Sequence, residues 1–271
     1  MTRNREIYQL RFQTGASPVA GPDSVAVEEP LEIRLEGKPL AVIMRTPGHD
    51  RELVAGFFLS EGLAATPEDF FEINACPSLT TEGGAGNAMD VILRAPADSV
   101  WSRLSRHVFS GSSCGICGKA SIESILAHVP TIDSRPLVRA DVLRGLPGRM
   151  RTEQEVFATT GGIHAAALFD TEGNLLALRE DVGRHNAVDK LLGWALLERK
   201  LPLRNHLMLV SGRTSFEIVQ KALAGGVPVV AAISAPSSLA IELARNSGVV
   251  LIGFLRGNTF NVYSHESNIQ N

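Results

Sequence analysis

The chain has 271 residues, enough for one large domain or two modest ones, and is 44% hydrophobic and 20% charged, as a globular protein with its own core should be. Its net charge of −3 argues against a general affinity for nucleic acid or acidic membranes. No apolar run reaches the ~18 residues of a membrane span, and the start, Met1 to Arg11, lacks the apolar core of a signal peptide, so a cytoplasmic protein is expected.

In chain order, residues 1–24 are polar and are expected to be partly disordered. Val25 to Met44 reads as two strands around the turn Glu36-Gly37-Lys38-Pro39. A helix follows, with Asp50 as N-cap, Leu53, Val54, Phe57 and Phe58 on one face, and Gly62 as its stop. Residues 80–87 read as a glycine-rich turn before the strand Met89–Leu93. Ile122, Ile125, Leu126 and Val129 have helical spacing, ended by Pro130. Asp133 to Gly148 reads as a connector, and 150–157 as a short helix. Phe157–Asp170 and Leu175–Arg179 are expected strands, followed by a helix from about Ala187 to Lys200 with Asn186 as cap. Three apolar strands come last, Leu207–Val210, Val227–Ile233 and Val249–Phe254, each pair separated by a helix. Such βαβαβ alternation implies a parallel sheet flanked by helices.

The chain holds three cysteines, Cys76, Cys114 and Cys117. In a reducing compartment a close pair reads as catalytic or metal-binding. The run Cys114-Gly115-Ile116-Cys117-Gly118-Lys119 stands just before the helical spacing at 122–129, where the helix dipole and Lys119 would favour a thiolate. A structural zinc site needs about four ligands, and one CxxC supplies two, so no structural metal is expected. The segment from Arg106 to Ser113 is not a convincing buried strand, which weakens a thioredoxin-type reading. Dithiol exchange and a cysteine that carries a persulfide remain open on chemistry alone.

Three loops leave the carboxyl ends of the three parallel strands: Ser211-Gly212-Arg213-Thr214-Ser215, Ser234-Ala235-Pro236-Ser237-Ser238, and Arg256-Gly257-Asn258-Thr259. Ligands of open α/β sheets bind along this edge. Thr214 and Glu217 are spaced as a capping box, and Ser237 is a second cap candidate. Helix N-termini with Arg213 and Arg256 suit a phosphorylated ligand, although the pattern is neither a Walker loop nor GxGxxG. His164, in Thr160-Gly161-Gly162-Ile163-His164, is a structural histidine or a site residue. Arg179 to Asn186 packs its charges as a solvated turn or as buried ion pairs.

Together with Glu28-Glu29-Pro30-Leu31, Met44 to Asp50, Glu180 to Ala187 and Ser234 to Ser238, these segments resemble the FdhD/NarQ family of formate dehydrogenase accessory sulfurtransferases, from about residue 25 to 264. The resemblance implies sulfur taken from a cysteine desulfurase as a persulfide on Cys114, with Cys117 as partner. It implies delivery to the molybdenum cofactor in its bis-molybdopterin guanine dinucleotide form, before that cofactor enters formate dehydrogenase. Phe254, Leu255, Arg256, Gly257, Asn258 and Thr259 match the family's cofactor segment, with GDP expected to bind as a mimic. A homodimer and a cytidine-deaminase-like C-terminal domain are also implied. The division expected is 25–130 for an N-terminal α+β portion ending in the cysteine loop and its helix, and 131–271 for the cofactor domain. Deaminase chemistry itself is not expected, because His164 is followed by Ala165 and Ala166 where that chemistry needs a glutamate two places on.

Overall fold

The computed structural model describes residues 2–15, 17–76, 87–96, 101, 131–133 and 135–271. The cysteines Cys114 and Cys117, the glycine-rich turn over 80–86 and the helical spacing at 122–129 lie outside the described residues.

The polar opening segment, expected to be partly disordered, holds an antiparallel pair, β1 (Asn4–Arg11) and β2 (Val19–Ala26). Next come β3 (Glu29–Leu35) and β4 (Lys38–Arg45), joined by the tight turn Glu36-Gly37, then α1 (Asp50–Ser60), β5 (Phe70–Cys76) and β6 (Ala88–Leu93). These form a four-stranded sheet in the order β4-β3-β6-β5, with α1 against it. Asp50 is the first helical residue rather than the cap. His49 precedes it with a left-handed φ of 58°, and the Asp50 carboxylate, instead of capping, accepts from Arg45 at 2.9 and 3.1 Å.

The remainder is built on β7 (Val138–Arg139), α2 (Ala140–Thr152), α3 (Glu155–Thr160), β8 (His164–Asp170), β9 (Leu175–Asp181), α4 (Arg184–Leu197), β10 (His206–Val210), α5 (Phe216–Ala224), β11 (Val229–Ala232), α6 (Ser238–Ser247), β12 (Val250–Arg256), β13 (Thr259–Ser264) and β14 (Ile269–Gln270). The expected connector over 133–148 is largely helix. Leu143, Leu146 and Met150 fall on its buried face, and Pro147 sits inside it. Residues 157–160 end α3 instead of starting a strand, and Gly161 caps that helix at φ 64°, a conformation glycine adopts without strain.

The main sheet has six strands in the order β13-β12-β11-β10-β8-β9. Only β10, β11 and β12 run parallel, so the sheet is mixed rather than parallel throughout. The reason is local: tight turns join β8 to β9 and β12 to β13, and a tight turn can join only antiparallel neighbours. Alternate residues of the strands enter two cores. Met208, Val210, Val230 and Leu251 face α4, α5 and α6; Leu207, Leu209, Val229 and Ile252 face α2.

The first of these cores also contains Leu31, Ile33, Phe58 and Met89, so the N-terminal portion and the sheet share one apolar interior. The contact is closest where α1 crosses α4. A Cβ placed on Gly56 would stand 1.9 Å from the Asp189 carbonyl oxygen, and one on Gly193 would stand 1.8 Å from that of Glu52. Only glycine allows the two backbones so near. Among the described residues no helix is long and apolar enough to cross a membrane.

Candidate functional site at the sheet edge

The carboxyl ends of β10, β11 and β12 meet the start of β8 and the end of β9 along one edge. A cavity of about 600 Å3 opens there. Ser211, Ile233 and Arg256 reach it from the ends of the parallel strands, His164 and Val182 from β8 and β9, and Arg151, Gln154 and Phe157 from α2 and α3. None of the described residues that line it is acidic. Most of its walls are apolar, with donors set among them, which is the usual make-up of a small-molecule site.

His164 and Ser211 meet at the floor. Ser211 Oγ accepts from the Ala165 amide at 2.9 Å and lies 3.4 Å from His164 Nδ1. Burial, reinforced by the neighbouring Arg184 cation, pulls the His164 pKa below its usual value, so the imidazole is neutral at pH 7. The site histidine is therefore a polar contact and not a fixed charge. Positive charge comes instead from Arg151, whose guanidinium lies 3.9 Å over the Phe157 ring, and from Arg256, 5.4 Å over Phe254. Three donors near this edge lack protein partners: Gln154 Nε2, on a residue only 4% exposed, Arg184 Nε and the Thr214 hydroxyl. A buried donor left unpaired costs about 1–3 kcal/mol.

Not every predicted residue reaches the cavity. Of the loop 211–215, only Ser211 lines it. Gly212 packs beneath His164, Arg213 is exposed, and Thr214 is buried. The Thr214 amide donates to Ala235 and its carbonyl accepts from Ser237, which ties the first two loops together. The expected capping box is absent: Ser215 occupies the cap position of α5 and its side chain makes no cap bond. Ser237 does cap α6, accepting from the Ala240 amide at 3.3 Å. Of 254–259, Arg256 and Gly257 line the cavity, while Leu255 is fully buried in the α2 core. Phe254 stands outside at φ 53°, and the Asn258 carbonyl accepts from Arg144 at 3.1 Å in the turn to Thr259. Sequence reasoning missed Arg151, Gln154 and Phe157; the period of Leu143, Leu146 and Met150 was the signal that could have placed Arg151 on a helix beside the edge, while Gln154 and Phe157 belong to the start of the next one.

The charged run over 179–186 forms buried ion pairs behind the edge. Asp181 accepts from the Thr46 amide at 3.1 Å and from Lys190 at 2.6 Å on one oxygen, and from the Gly183 amide and Asn186 on the other. Asn186, expected as a cap, also donates to the Met44 carbonyl, and Gly183 holds the cap position of α4. Burial pulls the Lys190 ammonium down, and the Asp181 carboxylate opposes that. Glu180 accepts from the Val156 and Phe157 amides and so fixes the start of α3 under the cavity wall.

A second buried set lies under the 211–215 loop. Lys221 donates to both oxygens of Asp189 at 2.9 Å, and Ser60 adds a third bond at 2.7 Å. Glu217 sits 3.7 Å from Lys221 and 3.3 Å from His185 Nε2, the nitrogen that also faces Ser215 Oγ at 3.3 Å. Because both contacts use one nitrogen, this is not a serine–histidine–carboxylate triad. Burial pushes the Glu217 carboxyl up to about 7.

Thr160 to Ala166, Glu180 to Ala187 and the strand-end loops, which build this edge, and Met44 to Asp50, packed behind it, are among the segments that carry the family resemblance. The FdhD/NarQ family model matches residues 26–270. The chain belongs to the FdhD/NarQ family. Among curated FdhD/NarQ proteins, the chain is 50% identical to sulfur carrier protein FdhD of Streptomyces avermitilis, over 99% of this chain and 96% of that one. It is 46% identical to the protein of that name from Mycobacterium tuberculosis, over 96% and 97%. Among solved structures, a formate dehydrogenase accessory protein from Desulfotalea psychrophila superposes with a TM-score of 0.77 at 24% identity, over 99% of this chain and all of that one. That likeness speaks to the fold alone, a mixed α/β architecture.

Proposed function

We propose that this protein is a sulfur carrier that serves formate dehydrogenase by delivering sulfur to a guanine-nucleotide-tailed molybdenum cofactor held at the sheet edge. The relatives' name, sulfur carrier protein FdhD, supports sulfur transfer. The observation that supports a nucleotide-tailed acceptor is the cavity itself: about 600 Å3, free of acidic lining among the described residues, with Arg151 and Arg256 for phosphate and Phe157 beside them. Ser211, His164 and Gln154 supply further polar contacts. The cofactor is cargo here, and its metal is where the sulfur ends.

Sulfur enters in one displacement. The Cys114 thiolate attacks the outer sulfur of a desulfurase persulfide, a Cys114 S–S bond forms, and the desulfurase thiolate leaves, with no net oxidation. Cys117 then attacks the inner sulfur. A Cys114–Cys117 disulfide forms, the outer sulfur leaves as sulfide for the metal, and the dithiol supplies the two electrons. An external thiol reductant resets the pair. The working unit is a homodimer, and the sheet domain is of the cytidine-deaminase type in a cytoplasmic protein.

Incubation with a cysteine desulfurase and cysteine should add ~32 Da, one sulfur, at a thiol. Cys114→Ala should abolish the adduct and formate dehydrogenase activity in cells. Full activity with Cys114→Ala would instead make the protein a cofactor-holding chaperone.

A further inference from the structure

The β1–β2 hairpin is fastened at its base. The Arg3 carbonyl accepts from the Val27 amide at 3.0 Å, and the Arg3 guanidinium lies 2.8 Å from His49 Nε2. The strands also touch α3. Towards the turn they stand clear. Tyr8 is 80% exposed, Leu10 55% and Phe12 73%, and Tyr8 and Phe12 are the barest large apolar side chains among the described residues. A two-stranded hairpin left to itself in water is marginal at best.

The pleat sorts these residues. Side chains alternate along β1, so Tyr8 and Leu10 share one face, with Phe12 next in that alternation. Pro22 and Ala20, directly opposite Tyr8 and Leu10 on β2, belong to the same face. Arg5, Arg11 and Asp23 fall on the other one. The Tyr8 face is thus apolar and uncharged from Tyr8 onward. It leaves on the order of 500 Å2 bare, since an aromatic side chain alone buries ~150–250 Å2. A bare patch of that size marks an interaction surface. Its chemistry selects a second copy of this chain. A face without charge meets itself without setting like charges together, and it gives a charged partner nothing to pair with. Two such faces stacked remove about 1,000 Å2 from water, the size at which a specific contact begins. The family model begins at residue 26, where β2 ends, so the hairpin lies outside the stretch that the model matches.

We propose that the hairpin is a dimerisation arm, in which the Tyr8–Leu10–Phe12 face of one copy packs against the same face of a second, with Leu10 near the two-fold axis. This rests on the homodimer reading and adds the surface that makes the dimer.

The test is sedimentation equilibrium of the full chain over a concentration series. The wild-type protein should be a dimer. Leu10→Glu sets two carboxylates face to face and should weaken self-association by about tenfold or more, and Leu10→Lys should do the same with two ammonium groups. An equimolar mixture of the two variants should regain the dimer, because a residue near the axis meets its own counterpart. Tyr8→Ser combined with Phe12→Ser should also weaken the dimer and decides the matter if the Leu10 variants do not fold. Wild-type self-association in these variants would overturn the arm while leaving the homodimer reading in place. A mixture that stays monomeric would overturn the self-facing geometry, and with it the proposal. A wild-type chain that is monomeric at every concentration would remove both the homodimer reading and this inference.

Discussion

The seam between α1 and α4 and the edge above β10, β11 and β12 treat buried polar groups in opposite ways. At the seam Asp181 is bonded on both oxygens, Lys190 is bonded to the Thr46 carbonyl as well as to Asp181, and Arg45, with no exposed surface, is held by Asp50, Asn87 and Glu29. At the edge, Gln154 Nε2, Arg184 Nε and Thr214 Oγ1 are buried without protein partners. The first pattern, through Asp181 and Lys190 on Thr46, fastens the two portions of the chain to each other, while Arg45 ties up the N-terminal portion beside them. The second leaves polar groups uncommitted, one of them, on Gln154, in the cavity wall and the other two behind it. Fold and site thus draw on the same residue types and differ in whether the bonds are already made.

The sharpest way to break this contrast is at the seam. Asp181→Ala strands the Lys190 ammonium in the interior, and urea unfolding should show a loss of about 3–5 kcal/mol. Replacing both, as Asp181→Leu with Lys190→Met, should restore much of it. A loss below about 1 kcal/mol for the single variant would mean that the seam pairs do not fasten the portions together.

Between the two regions lies Glu217, whose carboxyl moves from 4.5 to about 7 through burial. A raised acid favours the fold in its neutral form. Its contribution is whole below pH 4.5 and is lost as pH rises through about 7. The stability of wild type relative to Glu217→Gln should therefore fall by up to about 3 kcal/mol from pH 4.5 to pH 8, read from denaturant midpoints at each pH. A flat difference would show that Lys221 and His185 hold the carboxylate charged throughout.

The smallest effect belongs to the edge. Thr214→Val removes an unpaired buried hydroxyl and keeps the shape, so stability should stay level or rise by about 1 kcal/mol. A clear loss would place Thr214 among the bonded groups of the seam.

The strands and helices from Leu207 onward were legible because their signals are local: apolar runs of strand length, helical spacing between them, and a serine cap at Ser237. The β3–β4 hairpin was legible for the same reason. α2 was hidden by Gly145, Pro147 and Gly148, which read as breakers, while Leu143, Leu146 and Met150 kept the helical period through them. The antiparallel flanks of the main sheet depend on which strands become neighbours, and short turns revealed only part of that. At the site, Ser211, Arg256 and Gly257 could be placed by topology, because each follows a parallel strand. Leu255 could not be set apart from them, since the alternation that sends it into the core is set by the register of β12. Gln154 carries no motif. Its meaning comes from what lies beside it in space.

The interior shared by the two portions also bears on how the chain is made. Leu53, Val54 and Phe58 on α1 belong to the same core as Val188, Leu191 and Leu192 on α4. Those partners are translated about 130 residues later. At ~5–20 residues per second, that face of α1 stands uncovered on the ribosome for on the order of ten seconds. The nascent chain therefore presents a sticky surface over about half of its synthesis, and fragments ending before residue 184 should need a holdase to stay in solution.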